Sequence, residues 1–197
     1  MPEEISSRSA RVLAIAIGVF CVGATLAIGF FDSWTGAALA VPWMALFGLA
    51  GWAIFWRPRV VVSDAYVRVV NVSRTIDVPW PALQGIETRW ALTLVTAYGR
   101  FTAWGAPAPG AYSAFRAVGT RTHDPLAAED RTVRPGELPD TPSGAAAQLV
   151  QRRWAKLRAA GHLDQPRLER DRATVTWHLG TAVTAVVLLA LGILTLA

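Results

Sequence analysis

One cysteine and one lysine stand in a chain of 197 residues, and charged residues make up only 17% of it. The lone Cys21 lies inside an apolar run, so it forms neither an intrachain disulfide nor a thiolate-based metal site. It reads as a small apolar filler. Lys156 apart, every basic residue is arginine, which together with abundant alanine points to a GC-rich bacterial genome rather than to guanidinium chemistry. The net charge of +5 is too thin for a nucleic-acid stripe, and suits a domain that faces anionic headgroups.

Catalytic patterns are missing too. His123, His162 and His178 are far apart and share no metal-ligand spacing. Glu129-Asp130 reads as a solvated loop pair rather than an acid/base dyad, and no glycine-rich phosphate cradle or nucleophile elbow is present. The expectation is a chain that is not an enzyme, with no cofactor, no nucleic-acid partner and no small-molecule substrate.

What is abundant is apolar sequence, 53% of the residues with a mean hydropathy of +0.34. It is concentrated at the two ends. Residues 12–31, from Val12 to Phe31, carry no charge, and 20 residues at ~1.5 Å each cross the ~30 Å hydrocarbon core. A signal peptide would have an apolar region of only ~7–15 residues, so a membrane anchor is expected. A short turn, Asp32 to Gly36, leads to a second uncharged run over 37–56, with Pro42 near its start and Trp34 and Trp56 as interfacial anchors. The two form an antiparallel hairpin. A third span is expected over 173–197, its uncharged stretch running from Leu179 to Ala197, with His178 at its mouth.

Arg8, Arg11, Arg57, Arg59, Arg167, Arg170 and Arg172 all flank one side, and the hairpin turn carries no Lys or Arg. Positive flanks stay inside. The reading is a multi-pass cell-membrane protein with residues 1–11 and the central domain cytoplasmic.

Between the spans the composition divides again. Residues 57–104 alternate with period two, as in Thr75, Ile76, Asp77, Val78 and in Val67, Arg68, Val69, and read as antiparallel strands. Turn signals separate them at Ser63-Asp64, Asn71 to Ser73 and Gly99-Arg100, and Pro79 and Pro81 introduce a helical turn through Leu83 and Gln84. Residues 105–142, rich in Pro, Gly and charge, read as a flexible loop. A helix capped by Ser143 follows over 143–160, with Ala146, Val150, Trp154 and Leu157 on one stripe and Gly161 as its stop. A basic linker, 161–172, completes the middle.

Several of these segments carry a resemblance. Arg57-Pro58-Arg59-Val60-Val61-Val62, the strand Tyr66 to Val70, Val78-Pro79-Trp80 leading to Leu83 and Ile86, and Gly99-Arg100-Phe101 resemble the bacterial PH-like domain of the low-molecular-weight protein antigen family. That resemblance implies a small antiparallel PH-like sheet or barrel with a C-terminal capping helix and Trp154 as its plug; with about three transmembrane helices from the apolar runs, the class expected is an α+β membrane protein. The strand candidates fall one short of a full PH barrel. Basic residues in the first hairpin loop serve phosphoinositide binding in the wider superfamily; here that loop is Ser63-Asp64-Ala65, with none.

The function expected is an interaction module that holds a PH-like domain at the bilayer for a protein partner. One alternative is a sensor of anionic lipid in which Arg68, Arg74, Arg89 or Arg100 meets headgroups; another is an accessory subunit of a membrane enzyme or transporter complex.

Overall fold

A computed structural model describes residues 3–107, 142–161, 163 and 172–196. The chain divides into two compact units: a strand-rich one (Met1–Ser6, Arg59–Asn71, Thr75–Thr176) and a helical one (Ser7–Pro58, Val72–Arg74, Trp177–Ala197).

Eight strands are present among the described residues: β1 Glu3–Ile5, β2 Arg59–Val62, β3 Tyr66–Val70, β4 Arg74–Pro79, β5 Leu83–Glu87, β6 Ala91–Thr96, β7 Gly99–Pro107 and β8 Thr174–Trp177. They form a five-stranded sheet in the order β1-β2-β3-β4-β8 and a three-stranded sheet in the order β5-β6-β7. The expected α+β class with antiparallel strands is the one observed. In β2 to β4 the register pairs Val60 with Val69 and Val69 with Ile76, so one face of each strand meets one core. Val60, Val67, Val69, Ile76, Val78, Leu92 and Leu94 are fully enclosed there.

Asn71 ties the two sheets together. Its Nδ2 donates to the Thr102 carbonyl at 2.8 Å, and its Oδ1 accepts from the Trp104 amide at 2.9 Å. Both bonds satisfy backbone groups of β7.

The helix after the long connection, α3, runs Pro142–Ala159 and lies over the open end of this core. Ala146, Ala147 and Val150 are sealed within it. Trp154 and Leu157 share the stripe but are only partly buried, packing on the core from its margin. The expected aromatic plug is therefore corrected to small side chains: the first turns of the helix enter the core, and the stripe runs outward from there. Ser143, expected to cap the helix, is buried one residue inside it. Gly161, at φ 73°, ends it as expected.

Several boundaries differ from the sequence reading. The turn at Trp80–Ala82 is a 3-10 helix, and Leu83 and Gln84 already belong to β5. β7 continues to Pro107, into the segment expected to be loop. Residues 108–141 lie outside the described residues, as do His123, His162, Arg167 and Arg170. β1 falls in the stretch read as a plain N-terminus, and Thr174–Trp177, assigned to the third span, is a strand whose β-branched residues suit that role.

In the helical unit, α1 (Arg8–Phe31) begins at Ser7, whose Oγ accepts from the Ala10 amide. α2 (Trp34–Gly51) begins at Ser33 in the same manner, earlier than expected, and continues into a π-helical turn over Trp52–Trp56. Both α1 and the continuous helix Trp34–Trp56 are long and apolar enough to cross a membrane. α4 (Leu179–Leu194) is apolar but has 16 residues. The helices meet at glycines: a Cβ on Gly51 would stand 2.7 Å from Ile17, and one on Gly192 would stand 2.8 Å from the Trp43 ring.

Candidate interaction surfaces

The four arginines singled out for headgroup contact do not converge. Arg68 on β3 faces Asp77 across the ladder, and its Nε and Nη2 reach the two carboxylate oxygens at 2.6 and 2.8 Å. The guanidinium also stacks on Tyr66, 4.9 Å from the ring centroid. The hydrogen bond to Asp77 is the main cause that holds Arg68 above its ordinary pKa, and partial burial works against it. Arg100 on β7 pairs with Glu87 on β5. Arg89 lies over Trp90 in the turn between β5 and β6. Arg74, in the helical unit, lies over Trp177 at 5.6 Å. Two of the four thus spend their charge on carboxylates within the domain.

The first hairpin loop is closed by its own side chains. Ser63 Oγ donates to the Tyr66 carbonyl at 2.8 Å, and Trp80 Nε1 donates to the Ser63 carbonyl at 3.1 Å. Asp64 pairs with Arg153 of α3. The tip itself is acidic, and the arginine that meets it is paired with that carboxylate rather than offered to an incoming phosphate.

Beside it, Trp80, Pro81, Leu83, Gln84, Trp154, Arg158 and Leu163 line a groove of about 450 Å³, with the Arg158 guanidinium 4.5 Å over Trp154. Here Trp154 is a wall.

A surface that the sequence reading did not single out lies on the second sheet. Along β7, Arg100, Thr102 and Trp104 point outward while Ala103 is buried between them. Trp104 is 63% exposed, a large cost for an indole in water. Thr102 meets Thr93 of β6 side chain to side chain at 3.1 Å, and the Glu87–Arg100 pair stands nearby on the same sheet. The signal was present as alternation in the sequence, which assigned Trp104 only to the end of the sheet.

No group of three His, Cys, Asp or Glu side chains among the described residues is close enough to hold a metal ion. His178 Nδ1 stands 3.3 Å from the Val72 carbonyl within the helical unit.

No curated protein and no solved structure matches this chain. Residues 57–139 do match a family model, that of the bacterial PH domain. The matched segment contains β2 to β7, with the Arg68–Asp77 ladder, the closed first hairpin and the outward row of β7. The chain carries a bacterial PH-like domain.

Proposed function

We propose that this is a non-catalytic, multi-pass protein of the cell membrane whose PH-like domain docks a protein partner through the outward face of β5, β6 and β7. The observation that carries the reading is Trp104, an exposed indole amid Thr93, Thr102 and the Glu87–Arg100 pair. Aromatic anchors inside a polar rim are the usual anatomy of a protein interface. The pairing of Arg68 with Asp77 and of Arg100 with Glu87 favours protein docking over headgroup binding, because neutralised guanidiniums attract an anionic surface weakly. The narrower affiliation with the low-molecular-weight protein antigen family rests on the sequence resemblance alone. Three spans with a cytoplasmic domain complete the proposal. Arg11 over Trp56 and Arg57 over Trp52 support it by gathering cationic flanks at one end of the hairpin.

The test uses the full chain purified from membranes. Trp104→Ala should weaken a protein that co-purifies with the wild type by roughly thirtyfold, the loss typical of an interface hot spot. Arg68→Ala should leave it in place. Equal recovery from wild type and Trp104→Ala would sink the docking face. One observation favours a lipid reading: Trp90 is 79% exposed with Arg89 over its ring, a pairing suited to a bilayer interface. If Trp90→Ala reduces binding to anionic vesicles while Trp104→Ala changes nothing, the lipid sensor takes precedence.

A further inference from the structure

The helical unit contains a cavity of about 440 Å³, formed by α2 with its π-helical turn, the first turns of α4, and the connection Val72–Ser73. Its walls divide by chemistry. Leu46, Leu49, Ala50 and Ala53 on one side and Ala182 and Ala185 on the other are apolar, whereas Ser73, His178 and Thr181 stand at one end. Among the described residues, no carboxylate lines it.

Cationic groups gather at the polar end. Arg57 Nη1 donates to Thr181 Oγ1 at 2.7 Å, which places a guanidinium against a wall residue. Arg74 lies over Trp177, another wall residue, at 5.6 Å. His178 is held by two bonds to the same connection: its amide donates to the Ser73 carbonyl at 2.9 Å, and its Nδ1 stands 3.3 Å from the Val72 carbonyl. The helix α4 starts at Leu179, and its N-cap residue, His178, makes no side-chain cap bond. Its N-terminal dipole therefore adds positive potential to that of the arginines.

An apolar cavity with a histidine and a helix N-terminus at one end, and arginines on two of its wall residues there, is complementary to one class of molecule, an amphiphile with an anionic head. Its size falls in the range of ligand pockets. Both helices that wall it are apolar, and the longer has the length of a membrane span, so bilayer lipid is the amphiphile at hand. We propose that the helical unit holds one anionic glycerophospholipid, an acyl chain in the cavity and the phosphate at Arg57, Arg74 and His178. This site is separate from the docking face on β5 to β7, and its fate does not depend on that reading.

The experiment is native mass spectrometry of the full chain in detergent after equilibration with phosphatidylglycerol or phosphatidylcholine. The wild type should retain one phosphatidylglycerol, with phosphatidylcholine retained roughly five- to tenfold less. Arg74→Gln should erase most of that preference while leaving the chain folded. Ala182→Phe, which fills the cavity, should abolish retention of both lipids; Ala50→Leu serves the same purpose if that variant does not fold. Trp104→Ala should retain lipid as the wild type does. Equal retention of the two lipids by the wild type, no retained lipid at all, or unchanged retention in the cavity-filled variant would each overturn the proposal.

Discussion

Asn71 shows most plainly how one side chain shapes this domain. Replacing it with Leu keeps the volume and deletes both bonds, leaving the Thr102 carbonyl and the Trp104 amide without these partners beside a buried side chain. At about 1–3 kcal/mol for each orphaned group, Asn71→Leu should cost roughly 2–6 kcal/mol, read from denaturant unfolding of the full chain in detergent. Asn71→Asp keeps the acceptor but turns an oxygen toward the Thr102 carbonyl unless the introduced carboxyl carries a proton. Its folded pKa should therefore lie above the ordinary ~3.9, so the native state binds more protons and stability falls as pH rises through and above that value. A flat profile, matching wild type from acid to neutral, would show that the amide donor contributes nothing. At this scale the sequence was half legible. The turns at Asn71 and Gly99-Arg100 and the alternation around Arg68 could be read along the chain; that Asp77 and Glu87 would neutralise those arginines could not. Cross-strand register decides such pairs, and no local pattern encodes it.

Among the elements, those with long periodic patterns were the legible ones. The two N-terminal helices, the strands β2 to β4 and the helix stopped by Gly161 all follow from hydrophobic period and cap chemistry. β1 was not legible, because Glu3-Glu4-Ile5 has no alternation and is a strand only through its pairing with β2. β8 was absorbed into the apolar run that follows it. The docking of α4 on α2 was equally silent, since it depends on where a glycine meets a ring. Gly192 sits against Trp43 with no room for a methyl group, whereas a Cβ on Gly18 would meet nothing within 4 Å. Gly192→Ala should therefore cost about 1–3 kcal/mol and lower the melting temperature of the detergent-solubilised chain by roughly 2–10 °C. Gly18→Ala should melt with the wild type. If both variants melt alike, α4 is not seated on Trp43.

For the whole molecule, the question is how many times the chain crosses the bilayer and which way it faces. The continuous helix Trp34–Trp56 has 23 residues and α1 has 24, enough at ~1.5 Å each to cross ~30 Å of hydrocarbon. α4, with 16 residues, reaches only about 24 Å, so it crosses if the bilayer thins around it or its flanks extend the path. The arginine flanks predict that the hairpin tip faces outward and the PH-like domain inward. Single cysteines in a Cys21→Ala background decide both points, because Cys21 is the only native thiol. In intact cells an impermeant thiol reagent should label Ser33→Cys, at the N-cap of α2, and should not label Ser73→Cys until the membrane is opened. Thr195→Cys, at the end of α4, should label from outside if the third helix crosses. Labelling at Ser73→Cys in intact cells would reverse the orientation, and protection of Thr195→Cys together with Ser73→Cys would reduce the protein to a two-span hairpin with both later segments inside.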